Sequence, residues 1–76
     1  MRARWDLNSI RSDNIIVGSL RFTDGIKRPY EPLIGQTITV EDGEGEACDG
    51  VLVYIEEPTG LAYARLDLST WKHTGT

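Results

Sequence analysis

The sequence has very little of the residues that build redox, metal and catalytic sites. It contains one cysteine, Cys48, and one histidine, His73. A single cysteine excludes an intrachain disulfide, and a lone histidine without further ligands at suitable spacing does not form a zinc site. The acidic residues near Cys48 disfavour its thiolate, so we interpret Cys48 as a small, partly buried hydrophobic residue and His73 as a solvated tail residue. With no nucleophile–base pair and no phosphate-binding loop, we expect no enzymatic activity, no cofactor and no metal.

Long apolar segments are also missing. The apolar run at residues 51–55 is far shorter than the roughly 20 residues that span a bilayer. The first residues lack the apolar stretch of a signal peptide, and a single cysteine fits a reducing compartment. We therefore expect a cytoplasmic protein without membrane contact.

Basic residues are in the minority, and the two signs of charge are separated along the chain. The net charge is −4; residues 1–35 hold six of the eight basic residues, and residues 36–76 hold eight of the twelve acidic ones. General nucleic-acid binding needs a basic surface to neutralise phosphates, so nucleic acid is an unlikely partner for the whole domain. The basic start of the chain keeps a local version of that role open.

Eight glycines and three prolines interrupt the 76 residues and leave short runs rich in Val, Ile, Tyr, Thr and Leu. Glycine and proline disfavour helix interiors, whereas such runs are typical of strands. Strands are predicted at residues 14–22, 36–42, 47–57 and 61–68. The run at 47–57 is apolar on both faces, with Val51, Val53 and Ile55 on one of them, which predicts a central strand. Gly50 predicts a bend or bulge within it.

The segments between and beyond these runs are predicted from turn chemistry. Residues 23–25 and the Asp42–Gly43 pair indicate tight turns. Residues 67–71 indicate a short helical turn capped by Asp67 or Ser69, and residues 72–76 a short closing strand. Leu68, the last residue of the run at 61–68, is predicted to face inward. We expect residues 1–12 to form an N-terminal arm or an extra strand that packs Trp5 over one end, and residues 13–76 to form a single domain.

A familiar pattern covers residues 35–73. A glycine, a strand and an acidic glycine-containing turn (residues 35–45) are followed by a long hairpin (49–67) and a turn at 68–71. This order resembles SH3-like small β-barrels of the Tudor and KOW type, at the level of the fold. The resemblance implies an all-β, five-stranded SH3-like barrel with a short 3₁₀ turn before the last strand. It implies no function, because the acidic-aromatic motif of peptide-binding SH3 domains and the basic surface of ribosomal KOW domains are both missing.

Outward-facing aromatic residues and the acidic turn are the candidate binding residues. Tyrosine and tryptophan are favoured at protein contacts, and small barrels often bind peptides in aromatic clefts. The leading hypothesis is a small non-enzymatic binding module that recognises a protein partner. The sequence indicates neither the identity of that partner nor the oligomeric state of this protein. Its predicted binding residues are Tyr30, Tyr54, Tyr63, Trp71, Glu41, Asp42, Glu44 and Glu46.

Two alternatives stay open. The first is a nucleic-acid accessory protein whose basic arm contacts phosphates and stacks a base on Trp5, with Arg2, Arg4 and Arg11 beside it. The second is a small acidic inhibitor whose turn occupies a basic site on another protein. Against both stands the simpler interpretation that the aromatic residues complete a small core and the acidic turn is solvated.

Overall fold

The computed structural model describes residues 1–21, 26–27 and 29–73, and this part of the chain is all-β, as predicted. Its strands are β1 (Arg2–Arg4), β2 (Ile15–Ser19), β3 (Thr37–Glu41), β4 (Glu46–Glu56) and β5 (Leu61–His73). Two 3₁₀ turns, Leu7–Ser9 and Glu31–Leu33, are the helical elements of this part. The predicted turn at 23–25 and the last three residues of the predicted closing strand lie outside the described residues.

The five strands form one mixed sheet in the order β1-β3-β4-β5-β2. β1 runs parallel to β3, and every other pair is antiparallel. The predicted central strand is confirmed, since β4 lies in the middle of the sheet. The edge strands β1 and β2 do not pair within the described residues, so the sheet is open there, and the SH3-like barrel remains a prediction.

The core lies on the inner face of the sheet. Ile38 and Val40 of β3 are fully buried, as their alternation with threonine and glutamate predicts, and so are Ala62 and Ala64 of β5. The largest fully buried side chains are those of Ile16, Leu20, Ile38, Leu52, Val40 and Cys48. Burial of such side chains stabilises a fold by roughly 25 cal/mol per Å² of apolar surface.

A bulge in β4 corrects the predicted faces of this strand. Leu52 pairs with Ala64 and Tyr54 pairs with Tyr63. Because Tyr63 and Ala64 are consecutive in β5, Val53 is an extra residue in β4 that has no partner in this register. The bulge places both Leu52 and Ile55 on the inner face, whereas Val51 and Val53 lie outside.

Gly50 is not the bend that the sequence predicted. It pairs in regular register with Ile38 on one side and Leu66 on the other. A Cβ atom at Gly50 would lie 2.7 Å from the carbonyl oxygen of Arg65, so the glycine is needed for the close approach of β5.

A larger irregularity in β5 replaces the predicted 3₁₀ turn at 67–71. Ala47 pairs with Lys72 and Asp49 pairs with Asp67, so residues 68–71 all lie opposite Cys48. The segment stays within the strand because β4 continues to pair with β5 on both sides of it. Leu68 is exposed here instead of facing inward, because the bulge breaks the alternation. The Asp67 carboxylate still accepts hydrogen bonds from the amide (3.1 Å) and hydroxyl (2.6 Å) of Ser69.

The first residues belong to the sheet and its core. Arg2–Arg4 forms an edge strand, and Ala3, Trp5 and Leu7 are all buried. The Trp5 backbone amide donates to Glu41 at one edge of the sheet, and its indole Nε1 donates to the carbonyl of Ser19, which ends β2 at the other edge (3.3 Å). The Trp5 indole lies against Gly18 of β2. A single residue therefore links both sides of the open sheet, with its backbone amide bonded to β3 and its indole lying on the edge strand β2.

Candidate functional site

The outer face of the sheet brings together apolar residues from β2, β5 and β4. Val17, Tyr63 and Tyr54 lie side by side in one cross-strand row. On β4, Val53 precedes Tyr54 directly, and Val51 lies two residues before Val53 on the same face. We call Val17, Val51, Val53, Tyr54 and Tyr63 the outer patch.

The two tyrosines form the middle of the outer patch. Their ring centroids are 5.4 Å apart with the ring planes inclined by 59°, which is within the range of favourable aromatic pairs. Tyr54 is 55% exposed and Val51 42% exposed, and Val53 is exposed as well. The tyrosine pair therefore gives this part of the surface apolar rings that also carry hydroxyl groups.

One charged residue lies next to the tyrosines on each side along the strands. Arg65 follows Tyr63 by two residues on β5 and pairs with Val51 and Ile15. Its side chain is exposed and makes no ion pair or hydrogen bond within the described part of the chain. On the other side, Glu56 follows Tyr54 by two residues on β4 and pairs with Leu61. One oxygen of its carboxylate, Oε2, accepts a hydrogen bond from the Thr59 hydroxyl.

The other two aromatic residues of the predicted site lie elsewhere. Tyr30 is buried at 5% exposure among the core residues, so it is not part of an exposed aromatic surface. Its backbone amide and that of Glu31 both donate to the Glu57 carboxylate, at 2.6 and 2.8 Å, which fixes the Glu31–Leu33 turn. Trp71 is exposed but lies near the opposite end of the hairpin, eight residues along β5 from Tyr63. The predicted cluster of four is therefore a pair and two separate residues.

The acidic turn is used largely within the protein. The Asp42 carboxylate accepts from the amides of Glu44 (2.7 Å) and Glu46 (3.2 Å), in a turn whose Gly43 and Gly45 have positive φ. Glu41 forms an ion pair with Arg2 at 2.7 Å. Among the four predicted acidic residues, Glu44 alone is exposed, and its carboxylate makes no hydrogen bond or ion pair within the described residues.

Glu46 joins the acidic turn to the end of β5. Its two carboxylate oxygens contact the indole Nε1 of Trp71 at 2.6 Å and Nδ1 of His73 at 2.7 Å. These two hydrogen bonds, first that from Trp71, hold the pKa of the Glu46 carboxyl below its usual range. His73 is exposed as expected, but the sequence did not reveal that Glu46 binds it.

The basic arm is not a free set of cations. Arg2 is paired with Glu41, and Arg11 lies 3.4 Å from Asp13. The Arg4 side chain lies along Gly43 of the acidic turn. Trp5 is only 7% exposed and packs in the core, so in this structure its ring is not presented for stacking on a base.

Neither Cys48 nor a polar groove on the outer face presents an activated group. Burial, reinforced by nearby Asp49 and Asp67, raises the pKa of the Cys48 thiol, which donates to the carbonyl of Asp67 at 3.2 Å. A groove of about 450 Å³ lies beyond the outer patch. Its polar walls are partly paired internally, with Arg2 on Glu41 and Thr39 on Asp49.

Several residues of the outer patch and its surroundings were missed by sequence reasoning: Val17, Val51, Val53, Glu56 and Arg65. The outward direction of Tyr63 and Arg65 is visible in their alternation with alanines and Leu66. The neighbours across the strands are not visible, because they depend on pairing register and on the bulge at Val53.

Residues 1–21, 26–27 and 29–73 contain no group of three or more metal-ligating side chains and no helix long and apolar enough to cross a membrane. Comparisons of the chain with protein-family models, curated proteins and solved structures found no match. The case for a function therefore depends on the surface itself.

Proposed function

We propose that the protein is a non-enzymatic protein-binding module and that the outer patch is its binding surface. The observation that carries the proposal is the exposure of Tyr54 and Val51 on β4, the middle strand of the sheet. A small domain gains stability by burying such side chains, and exposed apolar groups gathered on one face are typical of interaction sites.

The composition of the outer patch suits a protein partner. Tyrosine supplies a large contact area at low conformational cost, and its hydroxyl can bond to a partner's backbone. Strand residues are also held more precisely than loop residues, which favours a specific contact. The acidic turn and Trp71 are less suitable, because the Asp42 carboxylate is already bonded to the amides of the turn and the Glu46 carboxylate to Trp71.

Addition of a strand at an edge of the sheet is a less suitable binding mode. Trp5 covers β2 at Gly18 and Ser19, and the amide of Arg11 occupies the carbonyl of Ile15. At the other edge, β1 is only three residues long and carries two arginines. Short, charged or covered edges discourage strand pairing. A partner is therefore expected on the face of the sheet.

Site-specific photo-cross-linking in cells that produce the protein tests the proposal even while the partner is unidentified. A photoreactive phenylalanine analogue at Val53 lies in the outer patch, and the same analogue at exposed Ser12 is the matched control. We expect a defined protein adduct from position 53 and none from position 12. Equal adduct patterns at both positions, or no adduct at position 53, would overturn the proposal.

A further inference from the structure

The charges next to the outer patch lie at matching distances on opposite sides of the tyrosine row. Arg65 is two residues from Tyr63 in one direction along the strands, and Glu56 is two residues from Tyr54 in the other. Two residues of a strand correspond to about 7 Å. A positive and a negative group therefore flank an apolar row symmetrically on one face.

This arrangement is complementary to itself. A two-fold axis that runs across the strands, along the Tyr54–Tyr63 row, turns one face onto another copy of the same face. It places each tyrosine pair on its counterpart and brings Arg65 of each copy next to Glu56 of the other. Such an interface uses one patch twice, so every favourable pair is formed two times.

We propose that the occupant of the outer patch is a second copy of this chain, packed face to face on the first. The inference rests on the proposed function, namely that the patch binds protein, and it names the partner. Two sheets packed in this way lie about 10 Å apart, which leaves room for interdigitated tyrosines and for an arginine reaching across.

Charge selects this axis over the other two-fold axis in the plane of the face. An axis along the strands would set the Arg65 row on the Arg65 row of the partner and give like charges next to each other. The carboxylates of Asp49 and Asp67, one row beyond Arg65, are bonded to Thr39 and Ser69. In the proposed dimer they meet the 57–60 loop of the other copy, where the Glu57 carboxylate is turned toward the backbone of Tyr30 and Glu31.

Sedimentation equilibrium of the purified chain measures the association directly. We expect a concentration-dependent mass that reaches twice the chain mass. Arg65→Glu puts a carboxylate at position 65 of each copy next to Glu56 of the other copy. This repulsion occurs at both symmetry-related contacts and should weaken dimerisation at least about tenfold. Lys72→Glu makes the same charge change on the same strand outside the patch and should leave the association unchanged.

The charge-swapped double variant is the decisive measurement. Arg65→Glu combined with Glu56→Arg restores opposite charges and should recover the dimer that Arg65→Glu loses. If the double variant does not fold, as judged by circular dichroism, Tyr54→Asp serves in its place: it alters an exposed residue on the axis and should abolish dimerisation. A wild-type chain that stays monomeric, no recovery in a folded double variant, or a dimer unaffected by Tyr54→Asp would overturn the inference.

The cross-linking experiment separates this inference from the function on which it rests. An adduct of twice the chain mass from position 53 supports both. An adduct with a different protein, with monomeric chain in solution, overturns the dimer and leaves the binding module standing. No adduct from position 53 together with a monomeric chain overturns both.

Discussion

The packing of the Trp5 ring against Gly18 shows how one residue constrains the sheet. The indole lies on the Gly18 backbone at one edge strand, while the Trp5 amide is bonded to β3 near the other edge. The close approach of the Trp5 ring to β2 requires that Gly18 have no side chain. Any larger residue at this place acts directly on the core, because the ring is buried.

Gly18→Ala is therefore expected to destabilise the fold by about 2–3 kcal/mol, as overpacking of a core does. The added Cβ overlaps the Trp5 ring, which must move. Urea denaturation of the variant measures the loss. In a Trp5→Leu background the same glycine change should cost clearly less, because the ring is gone. A Gly18→Ala protein as stable as wild type, or equal costs in both backgrounds, would contradict the assigned contact.

Cys48 is expected to be unreactive in the folded chain and to make the fold weaker at alkaline pH. Burial raises the pKa of its thiol, and 1% of the residue is exposed. Alkylation should be at least about 100-fold slower than for a free thiol, since it requires opening of the structure.

The pH dependence of Cys48 follows from the sign of its pKa shift. The unfolded chain ionises above the ordinary thiol pKa while the folded chain does not, so the stability contributed by the neutral thiol is present below that pH and is lost as the pH rises. Mass spectrometry after timed alkylation, with and without urea, measures the reactivity. The alkaline slope of stability should be smaller in Cys48→Ala; an identical slope would contradict the assignment.

At the scale of elements, the strands were predictable where alternation is regular and were misread where it is not. The faces of β3 and of the first half of β5 follow from Ile38, Val40, Ala62 and Ala64 alternating with outward residues. The bulge at Val53 and the longer one at 68–71 could not be predicted, because they depend on which residue of the neighbouring strand lies opposite. The choice between a turn and a bulge at 68–71 was settled by pairing with β4 and not by local preference.

The stability of the last residues of β5 is expected to depend on the Glu46 carboxylate. Glu46→Gln replaces an ionic acceptor between Trp71 and His73 by a neutral amide, whereas Glu44→Gln makes the same change at an exposed neighbour. Hydrogen exchange of the amides at 70–73 should become faster in Glu46→Gln and stay unchanged in Glu44→Gln. Equal exchange in the two variants would show that the carboxylate does not fix this end of the strand.

Acid should have the same effect as the Glu46→Gln change. Because the pKa of Glu46 is lowered in the fold, its stabilising contribution is present above the ordinary pKa of a glutamate and is lost as the pH falls through the lowered value. Exchange at 70–73, corrected for the intrinsic pH dependence of exchange, should therefore rise in wild type at low pH. In Glu46→Gln the corrected rates should not depend on pH over this range.

For the whole molecule, the N-terminal residues are expected to be essential for folding. Deletion of residues 1–5 removes β1 and the buried Trp5, and loss of a buried tryptophan alone costs roughly 3–5 kcal/mol. A domain of this size is stable by only roughly 5–10 kcal/mol, so the shortened chain should be largely unfolded by circular dichroism at 37 °C. Trp5→Ala in the full-length chain should lower the unfolding temperature in the same direction. A cooperatively folded deletion variant would show that the segment is an accessory arm.

The all-β class and the central position of β4 could be predicted from the sequence, whereas the candidate site could be predicted only in part. Tyr54 and Tyr63 were identified as outward aromatic residues, and the structure brings them together. Tyr30 and Trp5 were assigned to binding but are buried, because a small core uses its large aromatic side chains wherever the chain brings them within reach. Which aromatic residues these are depends on contacts between distant parts of the chain.

The parallel pairing of β1 with β3 has a consequence for the order in which the protein assembles as it is synthesised. Residues 2–4 are synthesised before their partners at 39–41, which follow more than thirty residues later. The 46–73 hairpin, with its short connection, can form locally as soon as both of its strands are available, and contacts close in sequence form fastest. β1 is thus made well before it can pair with β3, and a bulky group attached at Met1, whose carbonyl accepts from the Thr39 amide, would act on that late pairing step.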